Sequence, residues 1–269
     1  MSSLARWDGF LAQIEGRHRE VRTEAAAMAL DAVAGLCAGG DYLPLSHQLS
    51  AVEHRLQELE RKIIDTWHDK VDDAICAEGH GEAARTAARE KGEALQHRLD
   101  DEREELMIRI MADLARQRYK HAVAQHRPPP CSGCGAGLEA PVSFRALELR
   151  CRNCNATTTW QPPELMVSVA TIGTHPMSQE QATGEWRAMR AAERALNAIR
   201  PPRALAPVKA VELTQIAYWQ KYLAARAWFE PELGRDVNME IRRRMQQWYE
   251  SHAEFEEGWV QAGRPREPL

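Results

Sequence analysis

The chain has 269 residues, enough for one large domain or two ordinary ones, with 28% charged and 44% hydrophobic residues. That mixture excludes a disordered or fibrous chain and suits a soluble, helix-rich one. A net charge of −4 supplies no general attraction for a polyanion such as nucleic acid.

The first twenty residues, MSSLARWDGFLAQIEGRHRE, have no basic stretch followed by an apolar core and so do not read as a secretory signal. No apolar run approaches the ~20 residues that cross a bilayer; the longest, LMVSVATI at 165–172, is far shorter. The expectation is a cytoplasmic protein without a membrane partner. Reduced thiols there make paired C-x-x-C motifs metal ligands or redox dithiols sooner than disulfides.

Residues 4–36 predict a helix. Leu4, Trp7, Leu11, Ile14, His18, Val21, Ala25, Met28 and Ala32 follow one another by threes and fours, which places them on one face. Gly39-Gly40 ends it. A second stripe runs through Leu45, Leu49, Val52, Leu56, Leu59, Ile63, Trp67, Val71 and Ala74, and EGHGE at 78–82 breaks it. Leu95, Leu99, Leu106, Ile110 and Leu114 carry a third helix to about His126. Apolar stripes of this length must face one another or another chain. Residues 1–127 therefore read as a coiled-coil-like helical hairpin or bundle.

Pro128-Pro129-Pro130 stops the helix, and Cys131-Ser132-Gly133-Cys134-Gly135 and Cys151-Arg152-Asn153-Cys154-Asn155 follow. Each C-x-x-C turn aims two sulfurs at one point, and two turns complete the four-ligand tetrahedron that zinc prefers. Gly135 and Asn155 stand where such turns adopt a left-handed backbone, which those residue types tolerate best. VSFRALELR at 142–150 reads as hairpin strands and Thr157–Trp160 as a third strand. The stretch resembles the zinc-ribbon family over about 30 residues, on its C-x-x-C-G turn. That resemblance implies a ribbon fold, with one structural zinc on Cys131, Cys134, Cys151 and Cys154. Iron suits the same sulfurs, and two disulfides or a metal-free dithiol are the alternatives. Four protein ligands leave no open position for catalysis.

The module spans 128–175, with LMVSVATI either a strand packed on it or a short helix beginning at Pro162-Pro163. From 176 to 269 the chain reads as helices again. Ser178-x-x-Gln181 predicts a capping box that opens a helix with Met189, Ala192, Leu196 and Ile199 on its buried face. After RPPRALAP, the next helix carries Ile216, Trp219 and Leu223. The last starts after Asp236, with Ile241, Met245, Trp248, His252, Phe255 and Trp259 as its stripe. The fold class is mainly α, with a small β zinc ribbon inserted between long amphipathic helices and a C-terminal helical region.

Glu15-x-x-His18 and Asp65-x-x-His68 have the spacing of helical di-metal sites but lack the further inward carboxylates, so solvated helix surface is the plainer reading. No phosphate-binding glycine loop, H-E-x-x-H or G-x-S-x-G occurs, and the chain reads as a non-enzyme. Aromatic residues crowd between 218 and 259. Trp219, Tyr222, Trp228, Trp248 and Trp259 are the candidate partner-binding residues, for a protein partner or for self-association. Arg145, Arg150 and Arg152, with Phe144 and Trp160 nearby, offer a nucleic-acid surface, but Glu139 and Glu148 leave the module a net charge of about +1. The function expected is a scaffold or adaptor whose ribbon sets the angle between its helical parts. The alternative is a nucleic-acid-associated regulator that uses the ribbon.

Overall fold

The computed structural model describes residues 2–37, 43–199, 204–231, 234 and 236–251, and divides into two compact units, Met1–Ile110 and Met111–Leu269. Predicted residues His252, Phe255 and Trp259, Gly39-Gly40 and the first half of RPPRALAP, 200–203, lie outside the described residues.

The first unit is built from helices α1 (Ser3–Cys37), α2 (Leu43–Thr66), α3 (Asp72–Ala77) and the first part of α4 (Glu82–Gln125). Trp7, Leu11, Ile14, His18, Val21 and Ala25 are buried along α1 as the spacing predicts, with Leu45, Leu49, Leu56, Leu59 and Ile63 along α2. Ion pairs set the helix directions. Asp8–Lys91 at 2.6 Å, Glu15–Arg98 at 2.8 Å and Arg22–Glu102 advance together, so α1 and α4 run parallel. His18 meets Glu60, and Glu24 meets Arg55, so α2 runs antiparallel to α1. Trp7 is the deepest link between them. Its indole Nε1–H donates to the Ala88 carbonyl at 2.9 Å, and its ring lies so near Gly92 that a Cβ there would stand 2.6 Å from it.

The α2 stripe does not continue as the sequence predicts. A π-helical turn at Trp67–Val71 widens the helix by one residue per turn, which slips the phase. Ile75 is therefore fully buried beyond Trp67, while Val71 and Ala74 are only partly so. Gly79, with φ +77°, then makes the break before α4.

The second unit holds the end of α4, a cysteine module, and helices α5 (Glu164–Gln181), α6 (Thr183–Asn197), α7 (Leu205–Arg226) and α8 (Val237–Ser251). One apolar core joins Ala182, Trp186 and Met189 to Tyr218, Tyr222 and Leu223 of α7 and to Ile241 and Met245 of α8. Leu196 packs on Val208 and Val211 in a smaller cluster.

One pair of alternatives is decided here, in favour of the helix that begins at Pro162-Pro163, and one expectation is corrected. LMVSVATI belongs wholly to α5: Met166, Val169, Gly173 and Pro176 are buried at the three-and-four spacing of a helix. Its β-branched residues suggested a strand, but Thr171 donates its hydroxyl back to the Val167 carbonyl at 3.0 Å, an arrangement native to helices. Ser178 opens no helix. It is buried in the last turns of α5, its hydroxyl donating to the Thr174 carbonyl at 2.6 Å, and the chain turns at Ala182 instead.

The only sheet among the described residues is a hairpin. β1 (Leu147–Arg150) pairs antiparallel with β2 (Thr157–Trp160), Leu147 opposite Trp160 and Arg150 opposite Thr157. Residues 142–146, expected as strand, form a loop. The Ser143 hydroxyl accepts from the Arg145 N–H at 3.1 Å and donates to the Arg145 carbonyl at 3.0 Å, closing a tight turn that strand geometry does not allow. Among the described residues, no helix is long and apolar enough to cross a membrane.

Candidate metal centre

The two C-x-x-C turns have the same construction. In the first, the Cys131 N–H donates to the Ala136 carbonyl at 2.7 Å, and the Gly135 N–H returns to the Cys131 carbonyl at 2.9 Å. In the second, Cys151 bonds Ala156 at 2.9 Å and Asn155 returns to Cys151 at 3.0 Å. Gly135 (φ 74°) and Asn155 (φ 60°) take the left-handed conformation expected of them. Each turn also points an amide at its own sulfur: Gly133 N–H to Cys131 Sγ at 3.3 Å, Asn153 N–H to Cys151 Sγ at 3.4 Å. Gly133 is closely packed: a Cβ there would lie 3.1 Å from the Ala156 methyl and 3.4 Å from Cys154 Sγ.

The four sulfurs lie within 4.8 Å of one another, an arrangement that can hold a metal ion. Cys131 and Cys154 Sγ are 3.6 Å apart, and Cys134 and Cys151 Sγ 3.7 Å. A disulfide would require about 2.05 Å, so none is formed. A metal–sulfur tetrahedron with bonds of about 2.3 Å has edges near 3.8 Å, which these separations match. Cys131 and Cys151 are buried while Cys134 and Cys154 reach the surface.

The electrostatics favour a cation. Backbone N–H groups of Cys134 and Gly133 hold the Cys131 thiol down to about 6, and those of Cys154 and Asn153 lower Cys151. The Ala156 amide also lowers Cys154, but the adjacent Cys134 and Cys131 sulfurs outweigh it and push that thiol up to about 12. Four thiolates so close repel one another, and a divalent ion at their centre removes that penalty.

The module is anchored inside its own unit. His126, at the end of α4, bonds the Ala140 carbonyl at 3.0 Å and meets the buried Trp160 ring edge-on. Phe144, at the tip of the loop, enters a ring cluster with Tyr119 of α4 and Trp228 and Phe229 beyond α7, with centroids 5.1 to 5.9 Å apart. Phe144 and Trp160 thus serve packing. Arg152 pairs with Glu139 at 2.7 Å, Arg150 is exposed on β1, and Arg145 is exposed in the loop.

The candidate docking residues divide. Tyr222 is buried in the core, Trp219 and Trp248 are half-buried against it, and Trp228 is 49% exposed. His18 is fully buried 3.4 Å from Glu60, while Asp65 and His68 are exposed. The four cysteines are the one group among the described residues arranged to hold a metal. Sequence reasoning missed a cleft of about 490 Å³ formed by α5, α7 and α8, whose residues come from separate helices and share no motif. No protein-family model, no curated protein and no solved structure matches this chain.

Proposed function

We propose that the chain is a non-enzymatic, cytoplasmic scaffold or adaptor whose second unit is braced by one structural zinc ion in a ribbon-like module. The observation that carries the reading is the sulfur spacing: all four lie within 4.8 Å, and two separations, 3.6 and 3.7 Å, come close to the edge of a zinc–thiolate tetrahedron, across two turns with the same backbone hydrogen bonds. Four protein ligands fill the sphere, so the ion supports structure and offers no place to a substrate. Binding of that kind adds directly to folding stability, because the unfolded chain has no preformed site. Trp228, exposed on the edge of the ring cluster, is the residue best placed to meet a partner protein or a second copy.

Purified protein should carry about one zinc per chain by elemental mass spectrometry. Cys131→Ser with Cys151→Ser should lose it and lower the unfolding midpoint by about 10 °C or more. Unchanged zinc content and melting would remove the proposal. Light scattering at rising concentration, compared between the parent and Trp228→Ala, tests the self-association arm. A monomer throughout leaves only a foreign partner.

A further inference from the structure

The cleft formed by α5, α7 and α8 stands apart from the cysteines and is charged in a directed way. Trp219, Tyr222 and Arg226 occupy one face of α7 and point into it. His175 and Thr171 come from α5, Arg244 from α8, and Glu230 from the segment after α7. At about 490 Å³ it is far larger than an inorganic ion needs and falls in the range of small-molecule sites.

The donors converge. Arg226 Nε and Nη2 share Glu230 Oε1 at 3.1 and 3.0 Å, and Arg244 Nε reaches Glu240 Oε1 at 3.0 Å. Each guanidinium has five N–H groups, so both keep donors beyond these bonds. Arg243 also pairs with Glu240, at 2.8 Å. Of the residues that line the cleft, two guanidinium groups, Arg226 and Arg244, face one carboxylate, Glu230, while Glu240 and its second partner Arg243 stand outside the lining.

His175 adds a further polar group to the lining. Its Nδ1 lies 2.9 Å from the Tyr222 hydroxyl. Burial raises the Tyr222 phenol, which keeps its proton, while burial and then the Arg226 charge lower the His175 imidazole and keep it neutral. With both groups neutral, the Tyr222 hydroxyl and Nδ1 hydrogen-bond in either tautomer of the imidazole. Arg244 covers the Trp219 ring at 4.6 Å, so the best aromatic face for a cationic ligand is already taken.

We propose that this cleft binds a small organic anion, its phosphate or carboxylate group held between Arg226 and Arg244 and its apolar body against the lining supplied by Ala170, Thr171 and Tyr222. Guanidinium pairs grip such groups through parallel charge-assisted hydrogen bonds. Nothing in this assignment depends on the metal centre.

Isothermal titration calorimetry of the full chain with phenyl phosphate and with benzoate tests it, with benzylamine as the cationic counterpart. One of the two anions should bind saturably with a Kd of about 1 mM or tighter. Arg226→Gln and Arg244→Gln should each weaken it about tenfold or more, with the helical circular dichroism of the parent retained. The tighter anion identifies the head group. Arg244→Lys should restore part of the affinity, which a merely structural role for Arg244 would not require. The proposal is overturned if neither anion saturates up to about 20 mM, if benzylamine binds as well as they do, or if both glutamine variants bind like the parent.

Discussion

Asn155 shows how much of the centre is decided by single residues. Its φ of 60° is the only positive value among the described residues other than glycine, and it stands opposite Gly135 in the matching turn. An L-residue with a Cβ pays about 1–2 kcal/mol there, and asparagine softens that penalty with its short polar side chain. Asn155→Gly should be at least as stable as the parent in urea titration, and Asn155→Ala less stable by about 1 kcal/mol. Equal stability of the alanine variant would show that the turn relaxes out of the left-handed region. The four ligands and both left-handed positions were legible in the sequence because each turn is closed by contacts within six residues. The cleft was not legible. His175, Trp219, Tyr222, Arg226 and Arg244 meet only through the packing of three helices, and no local spacing announces that.

The long helices were legible for a similar reason: a stripe with helical period must be buried wherever it faces, and α1 buries the predicted face from Trp7 to Ala25. What escaped were events that periodicity cannot register. The π-helical turn shifts the phase of the α2 stripe by one residue, and the β-branched residues and Pro176 left α5 readable only as a short helix or a strand, when it runs for 18 residues. Polar burial at the helix seams was also hidden. His18 looked like a seam residue, but its partners are on other helices. Glu60 lies 3.4 Å from it and 3.0 Å from Arg103, which also meets Glu53 at 3.3 Å and Asp100. Arg103 and Glu60 are nearly sealed from water, so removing Arg103 leaves the Glu60 carboxylate buried with His18 at 3.4 Å in place of a guanidinium. Arg103→Leu should cost about 3 kcal/mol by chemical denaturation, while Glu60→Leu with Arg103→Leu should recover a large part of that loss. Simple additivity of the two single changes would mean that solvent reaches the pair.

Across the molecule, the cysteine module belongs to the unit Met111–Leu269, and its bracing effect should be confined to that unit. Stripping the metal with a chelator should raise amide exchange across 131–160 and the helices that follow, measured by hydrogen-exchange mass spectrometry, while α1 and α2 keep the protection of the parent. Uniform deprotection of both units would contradict independent stabilisation.

The central place of α7 in the second unit carries a practical consequence. Trp186 and Met189 have their apolar neighbours on α7 and α8, and Leu196 rests on Val208 and Val211 at the start of α7. A fragment cut before residue 205 would present that whole surface to water and should form insoluble aggregates. A dissection of this protein that aims at a soluble C-terminal piece must therefore keep α5, α6, α7 and α8 together.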